Sequence, residues 1–426
     1  MTVAVFLFSL LGAMAIGMPI AFALLICGVA LMFHLNMMDS QIIAQNLING
    51  ADSFPLMAVP FFMLAGEIMN TGGLSKRIVN VALAIVGHVR GGLGYVAILA
   101  SCILAALSGS AAADAAALAA LLFPMMVKAG HDPARSAGLI AAGGIIGPII
   151  PPSIGFIIFG VAAGLSISKL FLAGIVPGLM IGVGLAVAWW FESRKETLAT
   201  PPRASMKDVI KTIADGAWAL ALPGIIIFGL KFGIFTPTEA GVVCAVYALI
   251  VAMFIYRELK WSELYGVFAA AAQTTAVVMF LVAAALVSAW LITIAEIPGQ
   301  VTELLRPFMG NPIVLMIAIQ VLVVVVGTAL DMTPTILILT PVLMPIVKEA
   351  GIDPIYFGVL FIINNSIGLI TPPVGTVLNV VCGVAKVRMD DIIKGVWPFL
   401  VAELIVLALM ILFPALVIVP ARWFSG

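Results

Sequence analysis

Long, uninterrupted apolar stretches constrain this chain more than any other feature. A helix needs ~20 largely apolar residues to cross the hydrocarbon of a bilayer. Phe54–Leu74, Leu170–Trp190, Ala240–Tyr256 and Gly395–Pro420 approach or exceed that length. A backbone in lipid must satisfy its own hydrogen bonds, which leaves helices or a closed barrel. The apolar runs are continuous rather than alternating, so helices are expected. With 63% hydrophobic and 9% charged residues, the chain is too poor in charge to coat a water-facing surface. An all-α, multi-pass protein in contact with the lipid bilayer is therefore expected. The net charge of zero gives nucleic-acid binding no support. Cys27, Cys102, Cys244 and Cys382 sit apart in apolar context, and His34, His88 and His131 have no metal-ligand spacing. No cleavable leader is expected ahead of the first span.

Sliding the sequence against itself by 221 positions reveals two related halves. Ala129-Gly130-His131-Asp132-Pro133 then falls on Ala350-Gly351-Ile352-Asp353-Pro354. In the same ungapped register Pro124 meets Pro345, Gly147 meets Gly368, Pro151-Pro152 meets Pro372-Pro373, and Gly174 meets Gly395. Apolar coincidences are cheap in such a chain. Coincidences of Gly and Pro are not, because each shapes the backbone. The expected halves are residues 1–195 and 212–426, joined by a cytoplasmic linker at 196–211.

Lys and Arg concentrate in cytoplasmic loops. If each half has five crossings plus one hairpin that enters and leaves on the same side, the second half is inverted. That arrangement leaves only Lys169, Lys231, Arg306, Lys348 and Arg422 of the 20 basic residues on the outer face. It predicts both termini on that outer face. The hairpins are expected at about 91–127 and 311–347, and a broken helix follows each at about 136–165 and 355–385.

The hairpins are marked by polar, small residues in mid-stretch. The first is Leu107-Ser108-Gly109-Ser110-Ala111; the second is Gly327-Thr328-Ala329-Leu330-Asp331-Met332-Thr333-Pro334. A turn in hydrocarbon is tolerated only inside protein or beside a cavity. The broken helices are marked by Gly147-Pro148-Ile149-Ile150-Pro151-Pro152-Ser153 and by Asn364 through Thr371-Pro372-Pro373. Consecutive prolines remove amide donors and push the preceding residue out of helical geometry. Freed carbonyls suit a dehydrated cation, and the next half-helix N-terminus suits an anion. Paired broken helices in inverted halves point to a binding site at mid-membrane.

Glu67, Asp114, Asp331 and Glu403 are the main acidic residues inside apolar spans. Each would cost ~2.5–3.5 kcal/mol at the bilayer centre. Asp331, at the second tip, is the strongest candidate for a cation ligand or a gate. Asp114 serves either a site or a helix cap. For Glu67 and Glu403, packing or partner contact is an equal reading. Trp189, Trp190, Trp261, Trp397 and Trp423 fall near expected span ends, as interfacial anchors do. An ion or anion channel is the alternative to a carrier, although channels usually arrange re-entrant loops as rings around one pore. An intramembrane aspartyl protease would need Asp114 and Asp331 in recognisable motifs, which neither context matches, so no enzyme is expected.

Leu107-Ser108-Gly109-Ser110, Gly147–Ser153, Gly233-Ile234-Phe235-Thr236-Pro237-Thr238-Glu239-Ala240 and Thr371-Pro372-Pro373-Val374-Gly375 together resemble the DctM-type large membrane subunit of tripartite ATP-independent periplasmic (TRAP) transporters. The resemblance covers essentially the whole chain. It implies sodium-driven uptake of an organic acid across a bacterial inner membrane, with both termini periplasmic. It also implies a periplasmic substrate-binding protein, a small four-helix membrane subunit on a separate chain, and an elevator movement of a transport domain against a scaffold. One sodium site would comprise Ser108, Ser110, Gly147, Pro148 and Ser153. The other would comprise Thr328, Asp331, Asn364, Gly368 and Thr371. The acid would lie near Ser108, Gly109, Ser110, Pro151, Pro152, Asp331, Asn365, Pro372 and Thr376. Sialic acid is the favoured solute by overall similarity, and a four-carbon dicarboxylate comes next.

Overall fold

The computed structural model describes residues 2–196, 203–328 and 330–425. Residues 197–202 of the expected linker and Ala329 of the second interruption lie outside the described residues. Among the described residues the regular structure is helical, and eight helices are long and apolar enough to cross a membrane.

The first half opens with Thr2–Ala15 packed on Ile20–His34. Ser40–Ala51 and Ala58–Thr71 follow, separated by a 3-10 turn at Phe54–Met57. Pro55 sits in that turn, where its missing N–H prevents a continuous ladder. The short helix Leu74–Val86 leads into the first hairpin, Gly92–Ser108 and Ala111–Lys128. The first broken helix runs Pro133–Gly144 and Ile154–Ala163, and the long helix Ile167–Ser193 closes the half.

The second half repeats this order. Met206–Lys231 and Pro237–Ile250 precede Leu264–Ile294, which spans 31 residues without interruption. Ile297–Leu305 leads into the second hairpin, Pro312–Gly327 and Met332–Glu349. Pro354–Gly368 and Thr376–Ala385 form the second broken helix, before Met389–Leu412 and Ala415–Ser425.

Three local expectations change. The Met206 helix starts inside the stretch read as linker, because Ser205 caps it through a 3.2 Å bond from Asp208 N. The Gly395–Pro420 run is two helices: Phe413 leaves helical geometry (φ −123°, ψ 74°), as a residue before proline tends to. Trp189 is no interfacial anchor. It is fully buried and donates Nε1–H to Gly91 O at 2.8 Å.

Packing crosses between the halves. The half-helix Ile154–Ala163 lies on Met332–Glu349, and its counterpart Thr376–Ala385 lies on Ala111–Lys128. Pro133–Gly144 lies on Met389–Leu412, and Pro354–Gly368 lies on Ile167–Ser193. Each broken helix is thus held by the other half, within one shared apolar core. In lipid such association rests on close van der Waals fit, which small residues permit. Gly174 shows this: a Cβ there would run into Ile149 O and the Phe156 ring, so the long helix presses directly on the first break.

Candidate functional site

The first tip turns at Gly109, whose φ of +62° is left-handed backbone that glycine adopts without strain. Ser110 then caps the returning arm, its Oγ accepting from Ala113 N at 3.4 Å. The reversal brings Asp114, on the first turn of that arm, against Ser108. Ser108 Oγ donates to Asp114 Oδ1 at 2.5 Å, and Ser110 N donates to Ser108 Oγ at 3.1 Å. Asp114 is only 4% exposed, and its Oδ2 has no hydrogen-bond partner among the described residues.

The first break closes over this carboxylate. Helix Pro133–Gly144 ends in turns that run through Gly147 to Ile150. A Cβ on Gly147 would sit 2.6 Å from Asp114 Oδ2, so only a bare backbone fits. Gly109 meets the far end of the break, where a Cβ would lie 2.5 Å from Pro152 O. Ser153 Oγ donates to Pro148 O and accepts from Phe156 N at 3.1 Å, capping the next half-helix. Ile145 through Ser153 are all buried. A buried carboxylate with one unpaired oxygen demands a cation or a proton. Here the neighbouring groups are the Ser108 hydroxyl and the unwound backbone at Gly147. No Lys or Arg lies in either tip or either break among the described residues.

The second tip is arranged differently. Asp331 begins the returning arm but is exposed and caps no N–H with its side chain. Thr376 Oγ1 donates to Asp331 Oδ1 at 3.4 Å, bringing tip and broken helix together. Asn365 Nδ2 donates to Met332 O at 3.0 Å, and Asn365 Oδ1 is buried without a partner among the described residues. Gly368 crosses the hairpin arm so closely that a Cβ would stand 3.0 Å from Gly327 O. Thr328 and Thr371 turn back on their own helices, their Oγ1 atoms donating to Val325 O and Ile367 O at 2.8 Å. Both proline pairs, Pro151-Pro152 and Pro372-Pro373, are joined by cis bonds. The first pair is buried, whereas Pro372 is half-buried and Pro373 exposed.

The expected residue sets therefore separate. Ser108, Ser110, Gly147, Pro148 and Ser153 gather around the first break, as do Gly109, Pro151 and Pro152. Asp331, Asn365, Gly368, Pro372 and Thr376 gather at the second. Asn364 does not join them: its Nδ2 donates to Gln320 O at 2.6 Å, back along the hairpin arm. Asp114, left between cap and site by sequence alone, is the centre of the first cluster. Its signal was a carboxylate four residues past a polar tip. Glu403 is fully buried, with neither oxygen paired among the described residues, which argues against an exposed partner contact within this chain's surface. The two clusters adjoin through the swapped packing, for a Cβ on Gly155 would meet Met332 Sδ at 3.3 Å.

Paired hairpins locked against paired broken helices, with a buried carboxylate beside unwound backbone, define a helical membrane transporter. Comparison with known proteins makes the assignment specific. The family model described as "Tripartite ATP-independent periplasmic transporter, DctM component" matches residues 7–416. The chain belongs to this family of TRAP transporter large permeases, which are secondary transporters of organic acids in the bacterial inner membrane and not enzymes. It is 60% identical over 425 residues to a 2,3-diketo-L-gulonate TRAP transporter large permease of Escherichia coli, covering all of both chains. It is 38% identical to a sialic acid TRAP transporter large permease of Vibrio cholerae, covering 99% of this chain and 98% of the relative. Among solved structures, the Alcanivorax borkumensis YdaH transporter superposes with a TM-score of 0.64 at 14% identity, covering 90% of this chain and 88% of that one.

Proposed function

We propose that this permease imports an organic acid by sodium symport, with residues 1–195 and 212–426 acting as inverted repeats. Both termini face the periplasm in this reading. The hairpins, broken helices and long closing helices form the moving domain. The helices Thr2–Val86 and Met206–Leu305 form the scaffold, and the transport domain travels as an elevator. The observation that carries the reading is the Ser108–Asp114–Gly147 cluster. An unpaired carboxylate held in a dry site favours binding of a small cation, and sodium fits a cradle of hydroxyl, carboxylate and backbone oxygen. The solute would sit between the tips, near Asp331, Asn365 and Thr376. The anionic solute meets no fixed basic residue there, so bound sodium and half-helix N-termini supply the neutralising charge. Coupling follows physically: without the cation, the acid loses its counter-charge.

For the solute, the 60% identity to a 2,3-diketo-L-gulonate permease supports a diketo sugar acid of that kind ahead of sialic acid. A periplasmic substrate-binding protein and a small four-helix membrane subunit would complete the tripartite assembly. The test is uptake into proteoliposomes holding all three components, with 2,3-diketo-L-gulonate, sialic acid and a four-carbon dicarboxylate offered separately. Uptake of the first that stops when choline replaces sodium supports the reading. Uptake unaffected by that exchange, or carried equally by a proton gradient alone, defeats it.

A further inference from the structure

A recess of about 220 Å³ opens beside the helix Ala415–Ser425, and Lys169 and Arg422 both line it. Both are exposed, and neither forms an ion pair among the described residues. Asp353 lines the recess too, but its carboxylate is engaged in capping. Its Oδ1 accepts from Ile355 N at 2.8 Å and from Tyr356 N at 3.0 Å. The Asp353 N–H has no acceptor among the described residues. Two unpaired cations and a free amide therefore share one recess with a carboxylate already in use. The rest of the lining, including Tyr356, Val417 and Ile418, is largely apolar.

The first half shows what the same corner holds when it is filled. Under the 221-residue shift, Asp353 corresponds to Asp132 and Val417 to Glu196 (353 − 221 and 417 − 221). There Asp132 N donates to Glu196 Oε1 at 3.0 Å, and His131 Nδ1 lies 2.8 Å from Glu196 Oε2. The first corner is thus closed by an anion from its own chain. In the second corner Val417 replaces that anion, the equivalent amide is free, and two basic side chains stand by. The second corner is built for an anion that the chain does not supply.

We propose that this corner binds the phosphate of an anionic phospholipid. Its oxygens would accept from Lys169, Arg422 and Asp353 N, as basic pockets between membrane helices hold lipid headgroups. Two observations favour a lipid over a free ion. Trp423, beside Arg422, is 70% exposed, with Lys231 Nζ 4.4 Å from its ring centroid, which is the pairing expected at headgroup level. A second recess of about 180 Å³ shares Asp353, Tyr356 and Ile418 with the first and continues along Met316, Ile411 and Pro414, where an acyl chain fits. The lipid would brace this corner as Glu196 braces the other. Binding does not rest on sodium coupling, so the two readings fail separately.

The test uses the purified full chain, stripped of lipid in detergent and titrated under native mass spectrometry. The probes are dioleoyl-phosphatidylglycerol and dioleoyl-phosphatidylethanolamine, and the first bound lipid is scored. Phosphatidylglycerol should bind the more tightly. Lys169→Gln/Arg422→Gln should weaken it about thirtyfold, the effect of two basic residues at a headgroup, and should remove the preference. Ile418→Trp, which narrows the recess and spares both cations, should weaken it as well. Arg306→Gln/Lys348→Gln, which removes two exposed basic residues outside the recess, should change nothing. Glycerophosphoglycerol, the headgroup without its chains, should not displace the lipid at equal concentration. Equal binding of the two lipids, binding that survives Lys169→Gln/Arg422→Gln, the same loss in Arg306→Gln/Lys348→Gln, or displacement by glycerophosphoglycerol would overturn the proposal.

Discussion

Ser108 Oγ donates to Asp114 Oδ1 at 2.5 Å across the first hairpin tip, and the other carboxylate oxygen is left facing Gly147. This contact fixes the carboxylate's orientation. It also leaves the second oxygen buried and without a hydrogen-bond partner among the described residues, beside the unwound backbone.

Asp114→Asn should abolish sodium-dependent uptake while leaving insertion and folding intact, because the amide is nearly isosteric. Ser108→Ala should weaken apparent sodium affinity by about tenfold to a hundredfold, since a hydrogen bond to a charged group contributes ~1.5–3 kcal/mol. Uptake assayed against sodium concentration in proteoliposomes checks both. Wild-type sodium dependence in Asp114→Asn would remove the carboxylate from the mechanism.

Gly147→Ala places a methyl group 2.6 Å from Asp114 Oδ2, inside contact distance. Sodium-dependent transport should be lost in this variant. Gly224→Ala, where a Cβ meets nothing within 4 Å, should transport normally. Equal activity of the two would show that the space beside Asp114 is not used.

Asp331→Ala should abolish or uncouple transport, and Thr376→Val should weaken solute affinity several-fold by removing the Thr376 hydroxyl that faces Asp331. Solute uptake and sodium uptake, measured together, separate loss of turnover from loss of coupling. An unchanged sodium-to-solute ratio at normal rate in Asp331→Ala would argue against its role.

Single cysteines at Ser205 and Met309, in a background without the four native ones, should react with an impermeant thiol reagent from opposite faces of the membrane. Ala199, in the linker expected on the cytoplasmic face, lies outside the described residues. Reaction of both from one face would exclude inverted halves.

Backbone-shaping residues made much of this architecture legible. Gly109 and the proline pairs at 151–152 and 372–373 dictate local geometry whatever surrounds them, and the tip and the breaks fall on them. The side-chain partners were less legible. Asp114 reaches Ser108 only because the left-handed turn at Gly109 folds one arm back on the other, and no periodicity reports that closure. Asn364 and Asn365 are adjacent, so ~100° of helical rotation sends one toward the Gln320 arm and the other toward the tip. Pro354–Gly368 is buried almost all round, so no polar face revealed its phase. Trp189 looked like an anchor because its distance from a span end says nothing about which way the ring points.

Sodium-specific stabilisation of the purified chain tests the central claim most directly. A cation that binds the folded state alone raises its stability by RT ln(1 + [Na⁺]/Kd). The melting temperature should therefore rise with sodium chloride, stay flat with choline chloride at equal ionic strength, and lose the difference in Asp114→Asn. Identical melting in both salts, or a sodium effect that persists in Asp114→Asn, would contradict a sodium site built on Ser108, Asp114 and Gly147.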